Sequence, residues 1–272
     1  MSKPRTDDRI SRIHAFLRRA GSGLRVCLNA IRRNRGSPPR SRTARLFAVL
    51  KRSIICFLAL SIAVVVLFGL VPPFTSAVMI VDRLERFASG KNQASLRYQW
   101  ASLEEISPQV PLAVVAAEDQ CFPDHWGFDV GSIRKAMEDH ARGRPLRGAS
   151  TITQQTAKNL FLWNGRSYVR KGLEAYFSVL LELLWPKTRI LEVYLNIAEF
   201  GDGVYGVRAA AETYLHKSPS ALTRRDAALL AAVLPNPKRF KVARPSAHVR
   251  SRSLRIMRQM ELLGGVGYLE DL

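Results

Sequence analysis

The chain has 272 residues, of which 47% are hydrophobic, and a formal net charge of +20. The hydrophobic content is ample for a folded core. The charge is uneven, since residues 1–52 hold fifteen Lys/Arg against two Asp, so the total is not a sign of a nucleic-acid-binding domain. Cys27, Cys56 and Cys121 lie before, within and beyond a long apolar segment, and this arrangement predicts no intramolecular disulfide.

The first predicted element is a transmembrane helix over residues 53–74. Residues 53–81 carry no charge, and 54–71 form an apolar run. A helix over that run rises about 27 Å, close to the roughly 30 Å hydrocarbon thickness of a bilayer, and Pro72-Pro73 end it. A cleaved signal peptide is the alternative, but its apolar core is shorter and lies at the extreme N-terminus.

The basic flank orients this predicted anchor. Segments rich in Lys and Arg stay in the cytoplasm, so residues 1–52 are predicted to be a cytoplasmic basic tail. Residues 82–272 are then a domain on the other side, which in a bacterium is the periplasm or the cell exterior. Two interpretations of the tail stay open: a basic amphipathic helix over 13–32 on anionic lipid, or a disordered segment that only sets topology.

The domain beyond residue 82 is predicted to be mainly α. Its apolar residues recur at helical spacing, and alternating runs bounded by hairpin turns are scarce. Thr151 with Gln154 has the spacing of a capping box, and Asn164-Gly165 is typical of a helix end. The expected helices cover about 109–118, 130–141, 151–162, 167–184, 187–198, 204–215, 223–234 and 246–263.

An acidic turn follows the first of these helices. Glu118 and Asp119 end an apolar helix, and a carboxylate at such a position is partly desolvated, which raises its pKa and suits it to accept a proton. Ordinary helix-end charges are the alternative. His125 has no second His or Cys at metal-ligand spacing, so a structural hydrogen bond is favoured over a metal site.

The helix predicted from residue 151 carries a polar face. Thr151, Gln154, Gln155 and Lys158 share that face by i,i+3 and i,i+4 spacing, and Ser150 directly precedes it. Hydroxyl, amide and ammonium groups near a helix N-terminus suit a phosphate or a sugar. A solvated surface is the alternative, and the small-residue turn before the helix favours binding.

The next helix combines Arg170, Lys171 and Glu174. Taken as structure, Arg170 and Glu174 form an i,i+4 pair that contributes only about 0.3–0.5 kcal/mol. Taken as a site, Glu174 is a second carboxylate among cations that engage a pyrophosphate or its metal. The spacing does not decide between these interpretations.

Two later segments are assigned to structure or surface. The glycine cluster at 201–206 lacks the Gly-Lys-Ser/Thr ending of a phosphate loop, so it predicts a tight turn that lets two helices approach. Eight Lys/Arg lie between residues 238 and 258, Arg252 among them, with a single interleaved aromatic, Phe240. They are expected to face anionic lipid or polymer rather than nucleic acid.

In chain order these segments resemble the signatures of the peptidoglycan glycosyltransferases of the lysozyme-like class. The match is closest to the monofunctional biosynthetic transglycosylases of Gram-negative bacteria. The signatures are Glu-Asp-x-x-Phe-x-x-His-x-Gly-x-Asp at 118–129, Gly-x-Ser-Thr-Ile-x-Gln-Gln-x-x-Lys-Asn-Leu at 148–160, Arg-Lys-x-x-Glu-Ala at 170–175 and Ile-Leu-Glu-x-Tyr-Leu-Asn at 190–196, while 229–237 is similar to the fifth. No penicillin-binding module is expected, because Ser-x-x-Lys with its partner motifs is missing.

The resemblance implies a lysozyme-like domain that polymerises lipid II into β-1,4-linked glycan strands by inverting transfer, releasing polyprenyl diphosphate. It implies Glu118 as general base, Glu174 as a second catalytic carboxylate and candidate metal ligand, and a divalent cation, Mg²⁺ or Mn²⁺, without an organic cofactor. The implied partners are lipid II, the growing strand, the bacterial inner membrane and cell-wall synthesis or division proteins, with no nucleic acid. The implied substrate-binding residues are Ser150, Thr151, Gln154, Gln155, Lys158, Asn159, Arg170 and Lys171.

Two other classes are weighed against this interpretation. A lytic enzyme on the same polymer is the nearest, because glycoside hydrolases also use two carboxylates, but it has no need of Lys158 or a Lys/Arg cluster for a pyrophosphate. A non-catalytic membrane scaffold is favoured only by the basic tail.

Overall fold

The structure, a computed structural model, describes residues 41–90, 96–143, 150–165, 167–270 and 272. The two interpretations of the tail over 13–32, and Gly148-Ala149 of the second signature, concern residues outside these ranges. The chain forms two compact units. One comprises residues 1–72 with 183–185, and the other comprises 73–182 with 186–272.

The described part of the first unit is dominated by helix α1, Arg42–Leu70. The Ser41 hydroxyl caps it by accepting from the Ala44 amide, and it ends before Pro72-Pro73. Helix α1 is long and apolar enough to cross a membrane. It begins ahead of the predicted 53–74 span because Arg, Lys, Leu and Ala in residues 42–52 are good helix formers.

Beyond Pro73 the chain is mainly helical, which confirms the predicted fold class. The α-helices, in chain order, are α2 (Ala77–Ala88), α3 (Gln109–Glu118), α4 (Val130–Ala141), α5 (Ile152–Phe161), α6 (Tyr168–Leu184), α7 (Lys187–Ile197), α8 (Val207–Ala210), α9 (Arg224–Val233) and α10 (Ala247–Leu262). Helix α8 continues as a π-helical turn, Ala211–Leu215. Short 3-10 turns cover Leu103–Glu105, Pro219–Ala221 and Gly265–Leu269.

A small sheet interrupts the helices. Strands β1 (Arg97–Tyr98), β2 (Glu199–Gly201) and β3 (Val204–Tyr205) lie in the order β1-β3-β2, with β1 parallel and β2 antiparallel to β3. The glycine cluster therefore forms a hairpin, and the helix predicted from residue 204 begins only at Val207. The prediction of its start was wrong because pairing with β1 and β2 outweighs the local helical pattern.

Helix α3 is the centre of the core. It is apolar on every side, and its residues 110–116 are all buried, because α9 and α10 pack against it. Small buried residues of α9, such as Ala227 and Ala231, let the helices approach closely. Helix α5 packs against α7 and α2. The last residue of α3, Glu118, is therefore the first polar side chain after this buried apolar segment.

Candidate active site

A cavity of about 390 Å³ opens at the C-terminal end of α3. Its walls come from the end of α3, the acidic turn after it, the first turn of α4 and the residues that precede α5. The lining residues are Ala116, Ala117, Glu118, Asp119, Gln120, Cys121, Asp129, Ser132, Ser150 and Thr151. The cavity is thus lined by carboxylates and hydroxyls together with Ala116 and Ala117, a lining that suits a polar substrate.

Glu118 is held by two side chains from different helices. Gln155 of α5 donates from Nε2 to Oε2 at 3.0 Å, and Arg252 of α10 donates from Nη2 to Oε1 at 3.2 Å. The Tyr194 hydroxyl of α7 donates to the Gln155 amide oxygen at 3.1 Å, which fixes that amide's orientation. Burial, opposed by Gln155 and Arg252, raises the pKa of Glu118. A carboxylate whose pKa is raised toward the working pH is a suitable proton acceptor.

Asp119 joins the acidic turn to the start of α5. Its Oδ2 accepts from the Ile152 amide at 2.9 Å, and its Oδ1 lies 2.8 Å from Nε2 of His125. The carboxylate therefore satisfies a helix N-terminal amide, where negative charge is favoured. The structural hydrogen bond predicted for His125 is present. This link sets the distance between Glu118 and the polar face of α5.

A second ion pair braces the same turn. Lys187 of α7 donates to the His125 carbonyl at 2.5 Å and pairs with Glu182 at 2.9 Å. The Thr153 hydroxyl donates to the same Glu182 oxygen at 2.6 Å. Both Lys187 and Glu182 are largely shielded from solvent. The turn that carries the cavity wall is thus tied to both α6 and α7.

Lys158 lies about two turns into α5, on the same helix face as Gln155. Its ammonium group makes no hydrogen bond or ion pair within the described ranges 41–90, 96–143, 150–165 and 167–270. Burial lowers the pKa of Lys158, the Arg170 and Lys171 charges lower it further, and the Glu174 and Glu118 carboxylates raise it. A half-buried cation without a partner is costly unless a ligand pairs with it. Lys158 is therefore positioned to bind an anion.

Glu174 of α6 organises the other cations. It is 4% exposed, and its two oxygens accept from Arg170 Nη1 at 2.7 Å and from Lys171 Nζ at 2.5 Å. The i,i+4 pair of the structural interpretation is therefore present, and its cations interact electrostatically with Lys158. The interpretation as a pyrophosphate or metal site stays a prediction. Three cations and one buried carboxylate give this part of the site a net positive charge.

The remaining predicted binding residues occupy different positions. Ser150 is exposed and lines the cavity, as does Thr151. The Thr151 hydroxyl donates to the Gly127 carbonyl at 2.7 Å and accepts from the Gln154 amide. The Gln154 side chain is buried and accepts from the Thr151 amide at 3.1 Å, so it closes the predicted capping box. Asn159 is half-buried next to Lys158.

The carboxylates do not fit a protein-built metal centre. Both oxygens of Glu174 are already engaged by cations, and no group of three or more His, Cys, Asp or Glu suited to a metal occurs in the described part of the chain. Lone pairs of Glu174 directed at guanidinium and ammonium groups are poor metal ligands. The chemistry below is therefore derived from the side chains alone.

Two site residues were missed from the sequence. Arg252 was expected to face lipid or polymer, and it instead contacts Glu118 across 134 positions of chain. Tyr194 is the tyrosine of the signature at 190–196 and was not predicted to bind substrate or to position a site residue, yet its hydroxyl reaches Gln155. The i,i+3 and i,i+4 spacing shows which residues share a face of one helix, but not which face meets another helix.

Comparison with known proteins agrees with this geometry. Residues 85–261 match the family model described as Transglycosylase. The chain therefore belongs to the transglycosylase family.

The similar proteins are bacterial. The chain is 51% identical over 233 residues to the biosynthetic peptidoglycan transglycosylase of Xanthomonas campestris pv. campestris, covering 86% of this chain and 94% of that one. It is 52% identical over 225 residues to that of Cronobacter sakazakii, covering 83% and 93%. It is 57% identical over 208 residues to that of Escherichia coli, covering 76% and 86%.

Proposed function

We infer that this chain is a peptidoglycan transglycosylase, which polymerises glycan strands in cell-wall biosynthesis. Its substrates are then lipid II and the growing strand. The observation that carries the inference is the proximity of a carboxylate and a cation. A half-buried carboxylate, Glu118, stands at the end of α3, and Lys158, whose ammonium has no partner among the described residues, lies on the helix that also supplies Gln155 to that carboxylate.

The proposed transfer begins at Glu118. Its carboxylate takes the proton of the acceptor 4-hydroxyl as the hydroxyl oxygen attacks C1 of the donor sugar. The bond from C1 to the diphosphate oxygen breaks on the opposite face, so the new linkage is β-1,4 by inversion and polyprenyl diphosphate leaves. Gln155 and Arg252 restrict the orientation of the carboxylate, which lowers the entropic cost of reaching the reacting geometry.

The leaving group requires charge neutralisation rather than a strong acid. We assign that role first to Lys158, whose half-buried charge has no partner among the described residues, and then to Arg170 and Lys171. Glu174 holds the latter two in place, because it accepts from both. Preorganised cations of this kind act without reorganising during the reaction. Ser150 and Thr151, at the cavity wall, are proposed to contact sugar or phosphate oxygens.

The expected divalent cation, Mg²⁺ or Mn²⁺, stays a proposal separate from this scheme. Since Glu174 is engaged by two cationic side chains, we propose that the oxygens of the substrate diphosphate, rather than a protein cluster, supply the ligands of such an ion. A bound ion would add positive charge beside the diphosphate.

The arrangement favours transfer over lysis. A retaining or inverting glycosidase needs two carboxylates that act on the sugar or on water. Here the second carboxylate, Glu174, is buried and bound on both oxygens by cations. Such a group stabilises a positively charged subsite better than it serves as a nucleophile or base.

One apolar helix near the N-terminus, α1, fits a single-pass membrane anchor. We propose that it lies in the bacterial inner membrane, with residues 1–52 in the cytoplasm and the domain 82–272 in the periplasm. Partner proteins of cell-wall synthesis or division are proposed from the family resemblance alone. Anchoring places enzyme and lipid-linked substrate on one surface, which raises their effective concentration.

The decisive experiment compares wild type with Glu118→Gln, purified as full chains in detergent and given fluorescent lipid II. We expect ladders of glycan strands from wild type and a loss of at least about 100-fold in the variant, because a general base contributes this much or more. Glu212→Gln, at an exposed carboxylate in the π-helical turn, should polymerise normally. A Glu118→Gln chain that polymerises at the wild-type rate contradicts the assignment of the base.

A further inference from the structure

Helix α10 supplies a cation to the carboxylate proposed as the base. Arg252 places Nη2 at 3.2 Å from Oε1 of Glu118, and Gln155 occupies the other oxygen. We propose that Arg252 is a positioning residue of the transfer reaction, whose guanidinium keeps Glu118 ionised and in one orientation so that it accepts the acceptor's proton. The inference rests on the proposed function, because it requires Glu118 to be the base.

The need for such a cation follows from where Glu118 lies. Its side chain is 14% exposed at the end of a helix whose residues 110–116 are buried. Burial is the largest influence on the Glu118 pKa and raises it, and the neighbouring Asp119 charge raises it further. Gln155 and Arg252 act in the opposite direction. Of these two, only Arg252 carries a charge.

The other groups around Glu118 do not replace this charge. On α5, Lys158 interacts with Glu118 only through its field, which raises the Lys158 pKa. On α7, the Tyr194 hydroxyl is neutral and bonds to Gln155 rather than to Glu118. The Gly265–Leu269 turn contributes Tyr268, whose hydroxyl donates to the Gln120 carbonyl.

Helix α9, which also packs on α3, carries three charged residues, and none of them forms an ion pair with Glu118 in the described part of the chain; Arg225 is exposed. Arg224 pairs with Glu261 at 2.7 Å, and Asp226 pairs with Lys217 at 2.6 Å. Within the described parts of the chain, Arg252 is therefore the single cation that forms an ion pair with Glu118.

The contact is poorly suited to a purely structural role. Arg252 makes one hydrogen bond to Glu118, and its Nε has no hydrogen-bond partner within the described residues. The packing of α10 is carried instead by its buried side chains Val249, Ser253, Ile256 and Met260. The guanidinium is thus delivered to Glu118 by a helix that does not depend on it for packing.

The test is the pH profile of polymerisation by the full chain with fluorescent lipid II. In Arg252→Gln we expect kcat to fall about ten-fold or more on the acidic side, because a carboxylate that loses an adjacent cation is protonated more readily. The loss should shrink as the pH rises, with KM little changed. Arg252→Lys, which keeps a cation, should keep the acid limb close to wild type.

A matched control lies on the same helix. Arg255 is exposed and donates to the Ser251 hydroxyl, so Arg255→Gln removes the same charge without touching Glu118 and should leave the acid limb in place. Thermal unfolding of each variant reports folding. If Arg252→Gln does not fold, Arg252→Lys carries the test, and an acid limb displaced as far as the glutamine variant predicts would overturn the proposal.

The outcomes separate this inference from the proposed function. A loss in Arg252→Gln by the same factor at every pH, or a change confined to KM, overturns the positioning role while leaving Glu118→Gln inactive. If Glu118→Gln itself polymerises normally, the proposed base is wrong and Arg252 has no reacting group to position. A pH-dependent loss together with an inactive Glu118→Gln supports both.

Discussion

At the scale of single residues, the site separates two kinds of buried cation. Lys158 has no hydrogen bond or ion pair among the described residues, and burial lowers its pKa. Lys187 is also partly shielded from solvent, but it pairs with Glu182 and donates a hydrogen bond to the His125 carbonyl. A buried charge without a partner destabilises the fold, whereas a paired one becomes costly to remove. Replacing Lys158 should therefore reduce activity without reducing stability, whereas replacing Lys187 should reduce stability.

Replacing the unpartnered cation should cost activity and not stability. We expect Lys158→Met to lose about 100-fold in kcat/KM with lipid II, as when a preorganised charge-stabilising group is removed, while its midpoint of thermal unfolding stays level or rises. Since the folded-state pKa of Lys158 is lowered, the wild type gains stability as the pH rises from that pKa toward the usual lysine value. The variant should lack that gain.

The comparison variant is Lys187→Met. It leaves the Glu182 carboxylate shielded and without its cation, so we expect the free energy of unfolding to fall by about 2 kcal/mol or more. Circular dichroism of both full chains in detergent measures the difference. If the Lys158→Met chain is less stable than the Lys187→Met chain, Lys158 is a structural residue rather than one that is unpaired until an anion binds.

At the scale of elements, the β2–β3 hairpin decides where α8 begins. Gly206 has φ of +83°, and a Cβ added there would lie 2.7 Å from the backbone oxygen of Asn196. Asn196 is itself fixed, because its side chain bonds to both the amide and the carbonyl of Ala101 at 2.8 Å. Gly206 therefore lies where the hairpin contacts the end of α7, and Asn196 links this point to the segment before α3.

A methyl group at this glycine should be poorly tolerated. We expect Gly206→Ala to lower the free energy of unfolding by about 2–3 kcal/mol, because the backbone is left-handed and the contact is with backbone atoms. Gly172→Ala is the matched control, since Gly172 stands inside α6 and a Cβ added there would meet no atom within 4 Å apart from its chain neighbours and the backbone of its own helix. It should raise stability by about 0.5–1 kcal/mol. Equal effects in thermal unfolding would contradict this account.

At the scale of the whole molecule, the question is which side of the membrane holds the catalytic cleft. The proposed orientation of α1 rests on the basic segment before and within its start, because Lys and Arg are retained in the cytoplasm. Helix α1 itself takes in Arg42, Arg45, Lys51 and Arg52 ahead of its apolar stretch. The proposed topology therefore places the exposed thiol of Cys121 in the periplasm.

A single-cysteine chain tests this topology. In a Cys27→Ser, Cys56→Ser background, Cys121 remains and is exposed at the cavity. We expect a membrane-impermeant maleimide to label it in spheroplasts whose inner membrane is intact, with no gain when that membrane is opened. Labelling only after the inner membrane is opened would place the cleft in the cytoplasm, where it would not build wall outside the cell.

Much of the fold was predictable from local pattern. The bounds of α3 and α4 agree with those expected, and α5 starts at its Thr151 cap, because apolar spacing and capping act within one or two turns of chain. The β2–β3 hairpin was not predictable from local pattern, because its strands are short and are stabilised by β1, a partner that is distant in sequence.

The candidate site, like the fold, was predictable from the sequence only in part. Helical spacing placed Gln155 and Lys158 on one face, and Arg170 beside Glu174, from the chain alone. Only the packing of α10 and α7 against their neighbours brought Arg252 to Glu118 and Tyr194 to Gln155. A sequence carries the period of each helix, so it determines which residues lie together on that helix. The rotation of one helix against another depends on how all their side chains pack, so the environment of the carboxylate was decided by the tertiary structure.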